Sequence, residues 1–244
     1  MEKIVLITGA TSGIGLYVAE QFLKNGDSVI IVSNKGIEKT KQEFSKYGDK
    51  AFFIYADLGK KEDIENIFKE VKKNFSYIDI LINNAAFDKN GYIESYDYDI
   101  YKKIVEVNLI GKVFCIQGAL PFLKKSKYPS VINISSRLAI KPRIDGSAYS
   151  SAAAGIVMLT KSAAVELEKY GIRVNCISPS ITLTPLALQS FTRQEIDDFA
   201  HKSTRGRICT KEDVYQAIVF LSSKNSDFIN GENINLNGGM LLKW

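Results

Sequence analysis

Seven short apolar runs recur along this chain, the first six each followed by a longer stretch with helical periodicity, and that alternation leaves few architectures open. The runs fall at 3–8, 28–33, 51–55, 78–83, 130–135, 173–177 and 233–236. Several, such as Val29-Ile30-Ile31-Val32, are continuously aliphatic rather than alternating. That is the pattern of strands buried on both faces, which parallel sheets covered by helices require. Helical patterns fill 13–25, 37–47, 61–74, 97–124, 148–170, 192–201 and 210–222. Thr192-Arg193-Gln194-Glu195 and Thr210-Lys211-Glu212-Asp213 read as capping boxes that start the last two. The prediction is an α/β fold, a doubly wound parallel seven-stranded sheet. With 244 residues, 45% of them apolar, one core is sufficient. No repeat or Pro/Gly-rich linker divides the chain, so 1–244 is expected to be a single domain.

The net charge of +5 comes from lysines spread over amphipathic stretches such as Lys69 to Lys73, with no aromatic-interleaved basic block, so nucleic acid is not expected as a partner. No apolar run reads as membrane-spanning, and Met1-Glu2-Lys3 leads into a strand without a signal peptide, which predicts a cytoplasmic protein. Cys115, Cys176 and Cys209 are widely spaced and read as reduced packing residues. His201 is the sole histidine and reads as a surface residue, so no metal site is expected. A serine hydrolase lacks its GxSxG elbow here.

Chemistry begins at the first strand-to-helix turn, Thr8-Gly9-Ala10-Thr11-Ser12-Gly13-Ile14-Gly15. Glycines there let an anion approach the helix N-terminus, where free N–H groups and the dipole favour a pyrophosphate. Asp57-Leu58 follows the third strand, Asn83-Asn84-Ala85-Ala86 ends the fourth, and Val107-Asn108-Leu109 lies in the long helix. Ser135-Ser136 ends the fifth strand, and Tyr149-Ser150-Ser151-Ala152-Ala153 follows thirteen residues after Ser136.

Together these motifs resemble the short-chain dehydrogenase/reductase family, of the 3-oxoacyl-acyl-carrier-protein reductase or carbonyl reductase type, from Lys3 to about Met240. The resemblance implies a Rossmann fold and an NAD(P)(H)-dependent oxidoreductase interconverting a carbonyl and a secondary alcohol. It implies that Gly9, Thr11, Ser12, Gly13, Ile14 and Gly15 hold the pyrophosphate, that Asp57 and Leu58 meet the adenine, and that Asn84 and Ala85 border the cofactor. Pro179 and Thr184 are implied beside the nicotinamide, and 180–207 is implied as a substrate lid with Leu186, Phe191 and Phe199 as apolar contacts. Ser180 and Ala86 stand where the family has glycines. A homotetramer or homodimer is implied, and Ile156, Val157 and Leu159 cover more than one helix face, as a helix buried on two sides requires.

At the end of the second strand, Ser33-Asn34-Lys35 offers hydroxyl, amide and ammonium donors with no acid before Glu38, which favours NADP(H), with NAD(H) as the alternative. Ser136 and Tyr149 are implied to stabilise and protonate the nascent alkoxide. Asn108 is implied to hold a water of the proton relay. The family's lysine, four residues after the tyrosine, is replaced by Ala153. An unperturbed phenol is ionised to only about one part in a thousand at pH 7. Lys161 lies two helical turns further, about 12 Å away, and Lys141 precedes the helix. With no other lysine expected to serve, the chain reads as an impaired or engineered-inactive reductase. The alternative is a dinucleotide-binding pseudoenzyme that acts through a partner or as a sensor. Arg137 and Arg143 flank the active-site segment and read as solvent-facing loop residues, with recognition of an anionic substrate as the alternative.

Overall fold

The computed structural model describes residues 2–242, so Met1, Lys243 and Trp244, the ends of the 1–244 domain, lie outside the described residues. Seven parallel strands form one sheet in the order β3-β2-β1-β4-β5-β6-β7. They are β1 (Ile4–Thr8), β2 (Ser28–Ser33), β3 (Ala51–Tyr55), β4 (Ile80–Asn83), β5 (Ser130–Ile134), β6 (Arg173–Pro179) and β7 (Asn233–Leu236). The helices that matter are α1 (Gly13–Lys24), α2 (Ile37–Glu43), α3 (Lys61–Asn74), α4 (Tyr98–Val105), α5 (Gly111–Leu123) and α6 (Ser147–Leu167). They are followed by α7 (Pro185–Ser190), α8 (Arg193–Lys202) and α9 (Lys211–Leu221).

Strand periodicity splits the core between the two faces. Leu6, Ile30, Leu81, Val131 and Val174 pack with Ile67, Cys115, Ala119 and Ala164 of α3, α5 and α6. Val5, Ile7, Val29, Ile31, Ile80, Ile82 and Ile132 pack with Val18, Phe22, Val214 and Ile218 of α1 and α9. The order reverses between β1 and β4, and in such sheets the crevice for a ligand opens there, beyond the strand C-termini.

Four sequence expectations are revised. The helix expected over 97–124 is interrupted by a π-helical turn at Glu106–Ile110, and the one over 37–47 ends at Glu43, before a 3₁₀ segment in which Gly48 takes φ 55°. Helix α7 was not anticipated, although Thr184-Pro185 is a capping residue followed by proline at the first turn. Tyr98–Leu123 does have the length and apolarity of a membrane span, with a mean hydropathy of 1.3. Its apolar side chains Cys115, Ile116, Ala119 and Leu123 belong to the core under the sheet, which accounts for that composition. Both capping boxes form as expected, Thr192 with Glu195 and Thr210 with Asp213. All three cysteines are free and buried, and His201 is exposed on α8.

Candidate active site

The turn after β1 is built by close packing that side chains would forbid. Gly9 and Gly13 take left-handed φ of 67° and 56°. A Cβ on Gly15 would lie 2.5 Å from Asn84 Nδ2, 3.0 Å from Ala10 Cα, and against the Gly9 carbonyl. Asn84 fastens this loop: its Nδ2 donates to the Thr8 carbonyl at 2.9 Å, while Thr8 Oγ1 accepts from the N–H groups of Asn84 and Ala85, each at 3.0 Å. Ser12 at the N-cap of α1 makes no side-chain capping bond, so the first-turn N–H groups of α1 are left for an anion. These residues therefore fit a dinucleotide pyrophosphate.

Beyond β2, Thr11 Oγ1 bonds Ser33 Oγ and the Lys35 carbonyl, each at 2.8 Å. Ser33 is buried by this pairing, whereas Asn34 and Lys35 are exposed. Asp57 Oδ1 accepts from Gly59 N–H at 3.0 Å, closing the turn ahead of α3 rather than capping that helix. Leu58 is buried, and its carbonyl lies where a Cβ on Gly111 would come within 2.6 Å. Thr184 caps α7, accepting from Ala187 N–H at 3.2 Å, and its methyl faces Gly13. Ser180 is buried, with its N–H on the Leu236 carbonyl.

Both ends meet in one cleft, lined among others by Ile14 of the glycine loop, Ser136, Tyr149, Pro179 and Thr184. Leu186 and Phe191 of the 180–207 segment line it too, and Phe199 stacks edge-on against Phe191. Ser136 lies just past β5, its Oγ accepting from Leu138 N–H at 3.2 Å. Tyr149 sits on the first turn of α6. Burial first, then the nearby Asp88 carboxylate, push the phenol up to about 12, with Arg143 opposing. Asn108 occupies the π-helical turn, a distortion frequent at functional sites. Its amide is committed to Phe87: Nδ2 donates to the carbonyl at 2.9 Å and Oδ1 accepts from the N–H at 2.8 Å.

The two arginines are not solvent-facing. Arg143 donates to Asp88 at 2.8 Å and lies over the Phe191 ring. Arg137 is only 5% exposed, lines the cleft, and stacks on Phe199 at 4.5 Å. Among the described residues no carboxylate pairs with it, and burial pulls its pKa below the ordinary guanidinium value.

Behind Tyr149 lies a second, small cavity of about 10 Å³, the size that holds one water. Its wall includes Tyr149, Asn108, Ala153 and a residue the sequence reasoning passed over, Lys112. Lys112 is 1% exposed, and its Nζ donates to the carbonyls of Asn83 at 3.0 Å and Ile134 at 2.6 Å. Lys141 and Lys161 are both exposed and line neither cavity. The overlooked signal was a lone charge in the apolar run Val107–Leu123, four residues after Asn108 and so on the same helical face.

The family model for short chain dehydrogenases matches residues 3–195. The (2S)-[(R)-hydroxy(phenyl)methyl]succinyl-CoA dehydrogenase subunit BbsD of Thauera aromatica is 30% identical, over 98% of this chain and 97% of its own. A 3-oxoacyl-[acyl-carrier-protein] reductase of Aquifex aeolicus is 31% identical over 98% and 97%. The crystal structure of 3-ketoacyl-(acyl-carrier-protein) reductase from Brucella melitensis, complexed with NADH, superposes with a TM-score of 0.89 at 31% identity, covering 98% of each chain.

Proposed function

This chain belongs to the short chain dehydrogenase family, and from that premise we propose that it is an NADP(H)-dependent oxidoreductase interconverting a carbonyl and a secondary alcohol. The observation carrying this reading is the single cleft in which Ile14 of the glycine loop, Ser136 and Tyr149 meet. Gly9, Gly13 and Gly15 with the α1 N-terminus would hold the pyrophosphate, and Asp57 and Leu58 would border the adenine. Asn84 and Ala85 would line the cofactor's path, and Pro179 and Thr184 would flank its nicotinamide. When bound, that group supplies or accepts the hydride. Ser136 Oγ donates a hydrogen bond to the substrate oxygen, and Tyr149 donates the proton that converts the developing alkoxide to alcohol. Asn108 holds the loop after β4 through Phe87 and borders the inner cavity, where the relay water would sit.

The exposed Asn34 and Lys35 support a 2′-phosphate, hence NADP(H) over NAD(H). Arg137 supports a substrate bearing an anionic group, because a buried guanidinium without a carboxylate partner is costly unless a ligand supplies one. Both readings are tested together. Nicotinamide fluorescence should show tighter binding of NADPH than NADH, and NADPH oxidation should run faster with keto acids than with neutral ketones of equal size. Arg137→Met should erase that preference through KM. Binding of neither dinucleotide below millimolar concentration rejects the oxidoreductase reading, and equal rates with neutral ketones reject the anionic substrate.

The protein works in the cytoplasm as a homotetramer or homodimer, joined through α4, α5 and α6. Ile156 is buried against its own subunit, so the outer row of α6 is Met158 and Val165, the latter 81% exposed. Val113 and Phe114 of α5 are also exposed. A stripe of this kind on adjacent helices suits a self-complementary two-fold contact. Light scattering should give a dimer or larger at micromolar concentration, and a monomer there rejects the assembly.

A further inference from the structure

We propose that Lys112 supplies, from helix α5, the buried ammonium that position 153 lacks, and that it exchanges a proton with Tyr149 across the cavity they share. This rests on the oxidoreductase reading. Three observations carry it. The first is the cavity itself: Lys112, Tyr149, Ala153 and Asn108 all border it, and it is large enough for one bridging water. Ala153 is 2% exposed with only a methyl to offer, so no side chain from α6 fills that space.

The second is the cost of the lysine. An ammonium out of water is expensive unless it is paired, and among the described residues no carboxylate lies against this one. Its acceptors are two strand-end carbonyls, Asn83 of β4 and Ile134 of β5, which take two of its three N–H bonds. The third has no acceptor among the described groups. An apolar residue would pack between the strands without that penalty, so the charge has a use other than packing.

The third is the polar surround. Asn83 Nδ2 donates to Asn133 Oδ1 at 3.0 Å, and Asn133 Nδ2 donates to Thr160 Oγ1 at 3.0 Å, a buried chain that fixes the two strand ends carrying the lysine's acceptors. The titratable groups beside Lys112 are Cys115 on its own helix and Cys176 on β6, with Tyr149 of α6 on the wall of the shared cavity. Asp88 and Arg143 lie beyond the phenol. Burial holds both thiols protonated, at about 12 and about 11. Burial pulls Lys112 the other way, down to about 8, which brings its proton within reach of neutral pH.

The proton balance is direct. In reduction Tyr149 gives its proton to the alkoxide, the resulting tyrosinate takes one from the Lys112 ammonium through the cavity, and the neutral amine regains a proton from solvent. The ammonium is the stronger acid of the two, so the transfer runs downhill. Oxidation runs the same steps backwards and needs the amine neutral. Lys112 is charged below its pKa, so reduction should fade as pH rises through about 8, while oxidation should rise through it.

The test compares Lys112→Met, Lys112→Gln and Lys112→Met/Ala153→Lys with the unaltered protein, each checked for fold by circular dichroism. Reduction with NADPH should fall about a hundredfold in both single variants, with the limb near pH 8 gone, and should recover when lysine is placed at 153. Lys112→Gln keeps a donor for the carbonyls, so it decides the matter if methionine disturbs the fold. Ala153→Lys alone should not raise the rate, because it forces two ammoniums into one small cavity. A second readout needs neither cofactor nor substrate. In ¹³C-lysine spectra the Lys112 Cε signal, assigned by its loss in Lys112→Met, should titrate near pH 8 and shift in Tyr149→Phe. Single variants with the original rate and pH profile, or a loss of rate that lysine at 153 does not restore, overturn the proposal. So does a Lys112 signal indifferent to Tyr149, even if the chain binds no dinucleotide and the oxidoreductase reading fails by itself.

Discussion

Tyr149→Phe will lower reduction by roughly a hundred- to ten-thousandfold while leaving NADPH affinity within about twofold. The substitution removes one oxygen from a side chain that makes no hydrogen bond among the described residues, so no buried partner there is orphaned and the packing with Ile104, Ala148 and Ala152 survives. What disappears is the proton donor in the cleft. The phenol is pushed up to about 12, so at pH 7 only about one in a hundred thousand is ionised, and the residue stands ready as an acid. Reduction can therefore start without any prior ionisation. Oxidation needs the tyrosinate, and for that direction the phenol's elevation is a handicap that a nearby proton acceptor must offset. A Tyr149→Phe protein that reduces substrate at the original rate removes Tyr149 from the mechanism. Single-turnover rates with saturating NADPH give the cleanest reading, because they separate chemistry from release.

Elements whose identity is set locally were legible in the sequence. Continuous aliphatic runs gave seven strands and a parallel sheet, because burial on both faces leaves no polar alternation. The glycine turn was legible because Gly9 and Gly13 adopt a backbone that side chains resist and Gly15 sits where none fits. Ser136 and Tyr149 were picked out by their match to the family's spacing, and the fold brings them to one cleft. What was not legible depends on contacts between elements distant in the chain. Lys112 was passed over because distance was followed along α6 alone, whereas this residue lines the cavity from α5, its ammonium on the ends of β4 and β5. Arg137 and Arg143 looked solvent-facing because a loop of mixed polarity usually is, yet Asp88 and the aromatic rings of Phe191 and Phe199 enclose them. Ile156, Val157 and Leu159 turn wholly or partly inward, and Met158 is left outside.

Gly15→Ala sets two physical effects against each other, and their sizes decide the outcome. Gly15 has ordinary helical φ, so alanine there should favour the helix by about 0.5–1 kcal/mol. The new methyl, however, would sit 2.5 Å from Asn84 Nδ2, 3.0 Å from Ala10 Cα and against the Gly9 carbonyl, all parts of the loop it must share. Two of those neighbours are backbone, and Asn84 is tied to the Thr8 carbonyl, so none can swing aside cheaply. Overpacking of this kind typically costs about 1–3 kcal/mol. The clash outweighs the propensity, and the net loss should lower Tm by about 2–8 °C in a chain of this size. The larger effect falls on binding. Relieving the contact moves the turn away from β4 and displaces the α1 N-terminus whose free N–H groups suit a pyrophosphate. Misdirecting two or three charge-assisted hydrogen bonds of about 1.5 kcal/mol each weakens NADPH by a hundredfold or more. Fluorescence titration and thermal melting of one preparation separate the two effects. Undiminished NADPH affinity in a folded Gly15→Ala protein would mean that the dinucleotide does not bind at this turn, whereas Tyr149→Phe should spare binding and remove only turnover.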